Sequence, residues 1–287
     1  MSNAFRNIGL FIRNNDPTLV SALTTVIEVL TARKLKFCCN QPLNFLPDVA
    51  VHPIDSFVDH CDLTIAVGGD GTMLSAGRAL AGSDLPVVGI NVGRLGFLAD
   101  VTLKDLAVQL NNILDGEYRH DQRFMLTASY HKTPLGVAMN DIVVHCHQSM
   151  RMIEFETHIN GRFLNSQRAD GVVIATPTGS TAYAMSAGGP ILDVDLNAIV
   201  ITSVCPHTLS NRPLVIAADS VIDITLSENN TESAMVTCDG QTGQLLNPGE
   251  SIRISRHDKH VDLLHPVDHD HYSILRAKLE WGRKLTC

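Results

Sequence analysis

No apolar run in the 287 residues approaches the ~18 that a membrane span requires, and "MSNAFRNIGLFIRNND" does not have the pattern of a signal peptide. Long basic runs are also missing. Lys and Arg total 22 against 30 Asp and Glu, a net charge of −8, which speaks against a general affinity for nucleic acid or an anionic membrane. The seven cysteines, Cys38, Cys39, Cys61, Cys146, Cys205, Cys238 and Cys287, are odd in number and contain no C-x-x-C pair. They read as small core residues and reduced thiols of a cytoplasmic chain. Neither familiar nucleotide loop is present: there is no G-x-x-x-x-G-K-[ST], and "NIGLFIRNND" lacks the G-x-G-x-x-G that follows the first strand of a dinucleotide-binding oxidoreductase. No G-x-S-x-G elbow supports serine hydrolysis, and no repeat array, low-complexity tract or long linker interrupts the chain.

What remains is long enough, and at 45% hydrophobic apolar enough, to bury a sizeable core, and two domains are expected. The first ~100 residues alternate strand and helix patterns, as an α/β layer with a parallel sheet does. "NIGLFI" is the first strand, Asp16 and Pro17 open a helix carrying Leu19, Leu23, Val26, Ile27 and Leu30, and "DLTIAV" and "LPVVGIN" are further strands around the helix "GTMLSAGRALAG". From about residue 120 short alternating segments predict a mostly β domain, with a hairpin in "RMIEFETHINGRFLNS" about Asn160-Gly161 and a turn at Arg256 to Lys259. "SILRAKLEW" predicts a helix that returns to the first domain. The expected division is 1–100 with 267–287, and 101–266.

Two stretches carry chemistry. "VGGDGTML" places Gly68, Gly69, Gly71 and Thr72 around Asp70, between a strand and a helix, at the strand's carboxyl end. Ligands of open α/β sheets bind at that edge. Glycines at a helix start let backbone N–H groups face phosphate oxygens. A carboxylate there is not itself drawn to phosphate, so Asp70 makes sense if it orients a hydroxyl nucleophile, binds a magnesium ion that neutralises phosphates, or does both. The bland reading is a tight turn whose aspartate bonds its own backbone. The second stretch, "TPTGSTAYAMSAGGP", gathers Thr176, Thr178, Ser180, Thr181 and Ser186 with Gly179, Gly188 and Gly189. So many short hydroxyls and free N–H groups suit an uncharged surface for sugar hydroxyls and a diphosphate, with Tyr183 to stack on a ring.

Together with "GINVGRLGFLAD", "NDIVVH", "MIEFETHING", "SQRADGVVIATPTGSTAYAMSAGGPIL", "PHTLSNRPLVI" and "CDGQ", these stretches give the chain a resemblance to the NAD kinases over nearly its whole length. The GGDGT turn alone is shared with lipid kinases; the longer blocks are not. The resemblance implies an α/β first domain and a β-rich second one. It also implies transfer of the γ-phosphate of ATP to the adenosine 2′-hydroxyl of NAD, with Asp70 as the base and Gly68, Gly69, Gly71 and Thr72 facing phosphate. It places Asp70, Gly71, Asn140, Asp141, Arg151, Arg168, Asp170, Thr181, Ala182, Tyr183, Ser186 and Gln241 on NAD. Asp141 stands where the family has Glu. A divalent metal, Mg²⁺ arriving with ATP, and a homo-oligomer, dimer or tetramer, are implied as well. The rival readings are a lipid kinase with the same turn, which would carry an apolar acyl groove, and a dinucleotide sensor without turnover.

The tail "RHDKHVDLLHPVDHDHYS" holds His257, His260, His265, His269 and His271 among aspartates, a composition that suits a transition metal. Their spacing favours solvated or packing histidines instead. The same reading applies to His145 and His147 in "HCH".

Overall fold

The computed structural model describes residues 4–93, 96–147 and 151–281, with Thr242 described by its backbone alone. Arg94 and Leu95 of "GINVGRLGFLAD", and Cys287, lie outside these residues. The chain divides into two compact units, residues 1–122 with 261–287, and residues 123–260.

The first unit contains β1 (Asn7–Phe11), α1 (Val20–Ala32), β2 (Lys36–Cys39), β3 (Ala50–Val51), α2 (Phe57–His60), β4 (Leu63–Gly68), α3 (Asp70–Ala79), β5 (Val87–Asn91), β6 (Val101–Thr102) and α4 (Leu106–Leu114). The sheet order is β5-β4-β1-β2-β3, all parallel, as the alternating pattern predicts. Asp16 accepts from the Thr18 N–H, and Pro17 opens a 3-10 turn that leads into α1. Ile8, Leu10 and Ile12 pack against Leu23, Val26 and Leu30 of α1 and Leu106, Leu110 and Ile113 of α4. Sharing this core puts α4 in the first unit, so the expected boundary at residue 100 falls inside it. On the other face of β1 a Cβ at Gly9 would overlap the Phe57 ring. Cover on both faces explains why these strands read as unbroken apolar runs.

The second unit is built on β7 (Arg119–Tyr130), β8 (Thr133–Ala138), β9 (Asp141–Cys146), β10 (Ile153–Ile159), β11 (Arg162–Ala169), β12 (Gly171–Ala175), α5 (Tyr183–Ser186), β13 (Ala198–Val204), β14 (Leu214–Ala217), β15 (Ile222–Leu226), β16 (Ala234–Cys238), β17 (Gln241–Leu246) and β18 (Ser251–His265). One antiparallel sheet runs β14-β13-β12-β9-β16-β17, and β11-β10-β15-β18 form a second. Ile142, Val144, Val172 and Ile174 from the first meet Phe155, Ile224, Ile252 and Ile254 from the second in one core, a β-sandwich. Val173 and Ala175 of β12 face the other way and are covered by Ala184 and Leu192.

The β10–β11 hairpin turns on Asn160 and Gly161, at φ 51° and 74°, both left-handed as a two-residue turn of this kind requires. The turn expected at Arg256 to Lys259 does not form. β18 continues as one strand through those residues, because Ser251–Ile254 pair with β15 and Leu263–Leu264 pair with β5. Pairing at both ends keeps the polar middle extended. After β18 the chain enters α6 (His271–Leu279), capped by the Asp270 carboxylate on the Tyr272 N–H.

Gly89, in the middle of β5, is where α3 and the segment after β5 press closest: a Cβ there would stand 2.8 Å from the Met73 sulfur and 2.8 Å from the Ala99 Cα. Gly89→Ala is expected to lower unfolding free energy in urea by about 1–3 kcal/mol, the usual cost of overpacking.

Candidate active site

β4 ends at Gly68 and α3 begins at Asp70, with Gly69 as the extended N-cap residue. The first turn of a helix has N–H groups without intrahelical acceptors, and the helix dipole adds partial positive charge there. A Cβ at Gly68 would overlap the Thr72 hydroxyl, whereas one at Gly69 would meet nothing within 4 Å. Gly68 is therefore required by packing, and Gly69 leaves its backbone open to an incoming group. Arg13, Asn14, Gly68, Gly69, Thr72 and Gly93 line a pocket of about 360 Å³ at this turn, and the Arg13 guanidinium lies 2.9 Å from where a Gly71 Cβ would stand. Arg13 was not singled out by the sequence, since it sits in "FIRNND" and carries no motif.

The Asp70 carboxylate does not bond its own turn. It accepts from three consecutive amides, Phe97 at 2.9 Å, Leu98 at 3.0 Å and Ala99 at 3.3 Å. Asn91 braces this loop, its Oδ1 accepting from the Gly93 N–H and its amide donating to the Ala99 carbonyl. A Cβ at Gly96 would overlap Asp70 Oδ1, which gives the glycine of "LGFLAD" its physical reason. From α6, Lys278 Nζ stands 3.9 Å from Asp70 Oδ2 and 4.4 Å from the Phe97 ring centroid. Sequence reasoning passed over Lys278, whose segment reads simply as an amphipathic helix.

The second unit holds a cleft of about 680 Å³ lined in part by Asn140, Asp141, Arg151, Asp170, Ala182 and Tyr183, which brings together six of the residues expected on NAD. Tyr183 is 46% exposed, an aromatic face available for stacking. Asp239, also in the cleft, was missed although "CDGQ" displays it. It occupies a left-handed turn with Gly240, at φ 49° and 66°. Its carboxylate accepts from the amides of Met139, Asn140 and Asp141 at 3.1, 2.8 and 3.2 Å. Asp141 is 5% exposed, and burial, followed by the charge of Asp239, pushes its carboxyl up to about 7. His145, read from the sequence as a packing residue, lines the same cleft.

The hydroxyl-rich loop differs from its expected role as a ligand surface. Thr176, Thr178, Ser180 and Thr181 are buried, and their hydroxyls brace the loop. Thr176 donates to the Met139 carbonyl, Ser180 to the Pro177 carbonyl and Thr181 to the Thr178 carbonyl, while Arg123 donates to Thr178. A Cβ at Gly179 would overlap the Asn140 carbonyl. These small residues let the loop press against Asn140. Arg168 lines a neighbouring cavity of about 480 Å³ together with Arg151 and Glu154. Ser186 and Gln241 are exposed and, with Thr181, are not among the residues lining the 680 Å³ cleft.

Comparison with known proteins identifies both halves. Residues 8–118 match the ATP-NAD kinase N-terminal domain and residues 139–265 the ATP-NAD kinase C-terminal domain. The NAD kinase of Nitrosococcus oceani is 51% identical over 99% of this chain and all of its own length, and that of Teredinibacter turnerae is 42% identical over 97% and 98%. Among solved structures, yeast NADH kinase complexed with NADH superposes with a TM-score of 0.86 at 25% identity, over 99% of this chain and 91% of that one. An NAD kinase from Archaeoglobus fulgidus in complex with ATP, 23% identical, shares the fold with a TM-score of 0.77, over 96% and 98%.

Two outcomes are expected. Gly96→Ala forces the Asp70 carboxylate off its amides, so turnover falls at least about ten-fold, the effect of roughly 1.4 kcal/mol on a barrier, with the melting temperature as a control for folding. For Asp141, a carboxyl raised in the folded state adds stability that is complete below its ordinary value of 3.8 and lost as pH rises through about 7. Urea unfolding should therefore show stability declining across that window by up to about 1.4 kcal/mol per pH unit, and Asp141→Asn should flatten the decline.

Proposed function

The chain belongs to the ATP-NAD kinase family and phosphorylates NAD to NADP as an ATP:NAD 2′-phosphotransferase, and from that premise we propose how its residues divide the work. The magnesium complex of ATP is the donor. The open backbone of Gly69, the first N–H groups of α3, Thr72 and Arg13 hold its phosphates, and Gly68 and Gly71 shape the turn. Asn140, Asp141, Asp170, Arg151 and Ala182 hold the adenosine part of NAD, with Tyr183 stacked on the base. Burial raises the Asp141 carboxyl, and in its protonated form it donates a hydrogen bond to the nucleotide, where an ionised carboxylate would only accept. Arg168, Thr181, Ser186 and Gln241 act from outside that cleft. A cytoplasmic homo-oligomer, dimer or tetramer, completes the reading on the strength of the motif resemblance.

Asp70 is the base. As the 2′-oxygen forms its bond to the γ-phosphorus, the bond from that phosphorus to the β-γ bridging oxygen breaks, ADP leaves, and the hydroxyl proton passes to Asp70. Phosphoryl transfer has a loose transition state, so nucleophile and phosphate must be placed well while the proton moves late. A carboxylate tied to three amides is held in one position, and such a reaction asks for positioning. The observation that carries this role is the orientation of Asp70 at the N-terminus of α3 by Phe97, Leu98 and Ala99, beside the glycine turn. Asp70→Asn should lower ATP-dependent NADP formation by ~10²–10⁴-fold, the range of general-base catalysis, while NAD binding by calorimetry stays within a few-fold. Loss of NAD binding along with activity would make Asp70 a ligand-holding residue instead.

A further inference from the structure

Away from the phosphate turn, but within the first unit, Asp100, His265 and His269 converge. Asp100 follows the amides that hold Asp70, His265 is the last residue of β18, and His269 lies just before α6. Asp100 Oδ2 is 3.0 Å from His265 Nδ1 and 2.6 Å from His269 Nδ1. The two imidazoles stack with centroids 4.1 Å apart, and one ligand atom from each residue lies within 4.8 Å of the others. The side chains are 8%, 1% and 4% exposed. His265 and His269 are therefore neither solvated nor merely packed, as the sequence suggested; His257 and His260 are partly exposed and stand outside the cluster.

A plain hydrogen-bonded trio leaves two features without a reason. Both histidines crowd one oxygen of Asp100, while its Oδ1 is buried with no hydrogen-bond partner among the described residues. On its far side, His265 Nε2 faces Asp121 Oδ2 at 3.4 Å. A carboxylate on the outer nitrogen of a histidine is the arrangement that orients metal-bound imidazoles.

We propose that Asp100, His265 and His269 form a transition-metal site of the zinc class, ligating through a carboxylate oxygen and the two Nδ1 atoms, with Asp121 orienting His265. The site is separate from the ion that accompanies ATP. Two imidazoles and one carboxylate are the donor set that suits zinc and its neighbours rather than magnesium. Ligands about 2.0–2.1 Å from a tetrahedral ion stand roughly 3.3 Å apart, so the separations of 3.0 and 2.6 Å from Asp100 Oδ2 to the two Nδ1 atoms need to open by less than an ångström. The ion would tie Asp100, next in the chain after the Asp70-holding amides, to the segment leading into α6.

The test uses the full chain without a polyhistidine tag, stripped with chelator and dialysed against Zn²⁺ or Co²⁺ at pH about 7.5. One metal per chain by plasma mass spectrometry, ligand-field bands with Co²⁺, and a melting temperature raised by Zn²⁺ are expected. His269→Phe, which keeps a packed ring, should lose all three signatures while its circular dichroism stays native. Asp121→Asn, which leaves every ligand in place, should weaken Zn²⁺ about 10–100-fold, so the site remains testable even if His269→Phe does not fold. Uptake well below one metal per chain by the parent, unchanged uptake in a folded His269→Phe, or an unchanged Zn²⁺ affinity in Asp121→Asn would overturn the assignment.

Discussion

An aspartate carboxylate gripped by three consecutive backbone amides is the constraint on which each half of this enzyme rests. In the first unit Phe97, Leu98 and Ala99 grip Asp70; in the second Met139, Asn140 and Asp141 are gripped by Asp239. The two devices work in opposite directions. In one, a loop is folded over so that the carboxylate is held still. In the other, the carboxylate is the anchor and the loop is what is held still, and Asn140 and Asp141 of that loop line the cleft of the second unit. Charge-assisted hydrogen bonds of this kind are stronger than neutral ones, and each grip gives its loop one defined position without adding an apolar contact.

The same economy runs through the second loop. The hydroxyls of Thr176, Ser180 and Thr181 are turned inward on Met139, Pro177 and Thr178, while Ala182 and Tyr183 face the cleft. A polar stretch with almost no charge thus becomes a rigid wall. Rigid aromatic surface of this sort binds a flat base at little conformational cost. The buried Asp141, its carboxyl raised by that burial, stands where the backbone of Asn140 is already fixed.

Much of this was legible in the residues themselves. Apolar runs located β1, β4, β5 and β12 because those strands are covered on both faces, and Asn160-Gly161 located its hairpin because few other pairs tolerate two left-handed residues. The GGDGT turn located Asp70. What the sequence could not display was partnership. Nothing in "TPTGSTAY" says that its hydroxyls point at carbonyls of its own chain, and nothing in "RHDKH" says that pairing at either end will keep it extended. Lys278 reaches Asp70 from a helix more than two hundred residues later in the chain, and His265 meets Asp100 across a gap of 165. Such contacts have no local pattern, so only the fold reveals them.

The first unit is discontinuous, and that has a consequence for how the enzyme comes into being. β5 obtains its β18 partner, and Asp70 its lysine, only from residues after 260. During synthesis the sandwich strands emerge before the parallel sheet can be completed, so a nascent chain holds its second unit as contiguous sequence while its first unit still waits on residues after 260. A chain that stops before residue 261 leaves β5 without its β18 partner and Asp70 without Lys278.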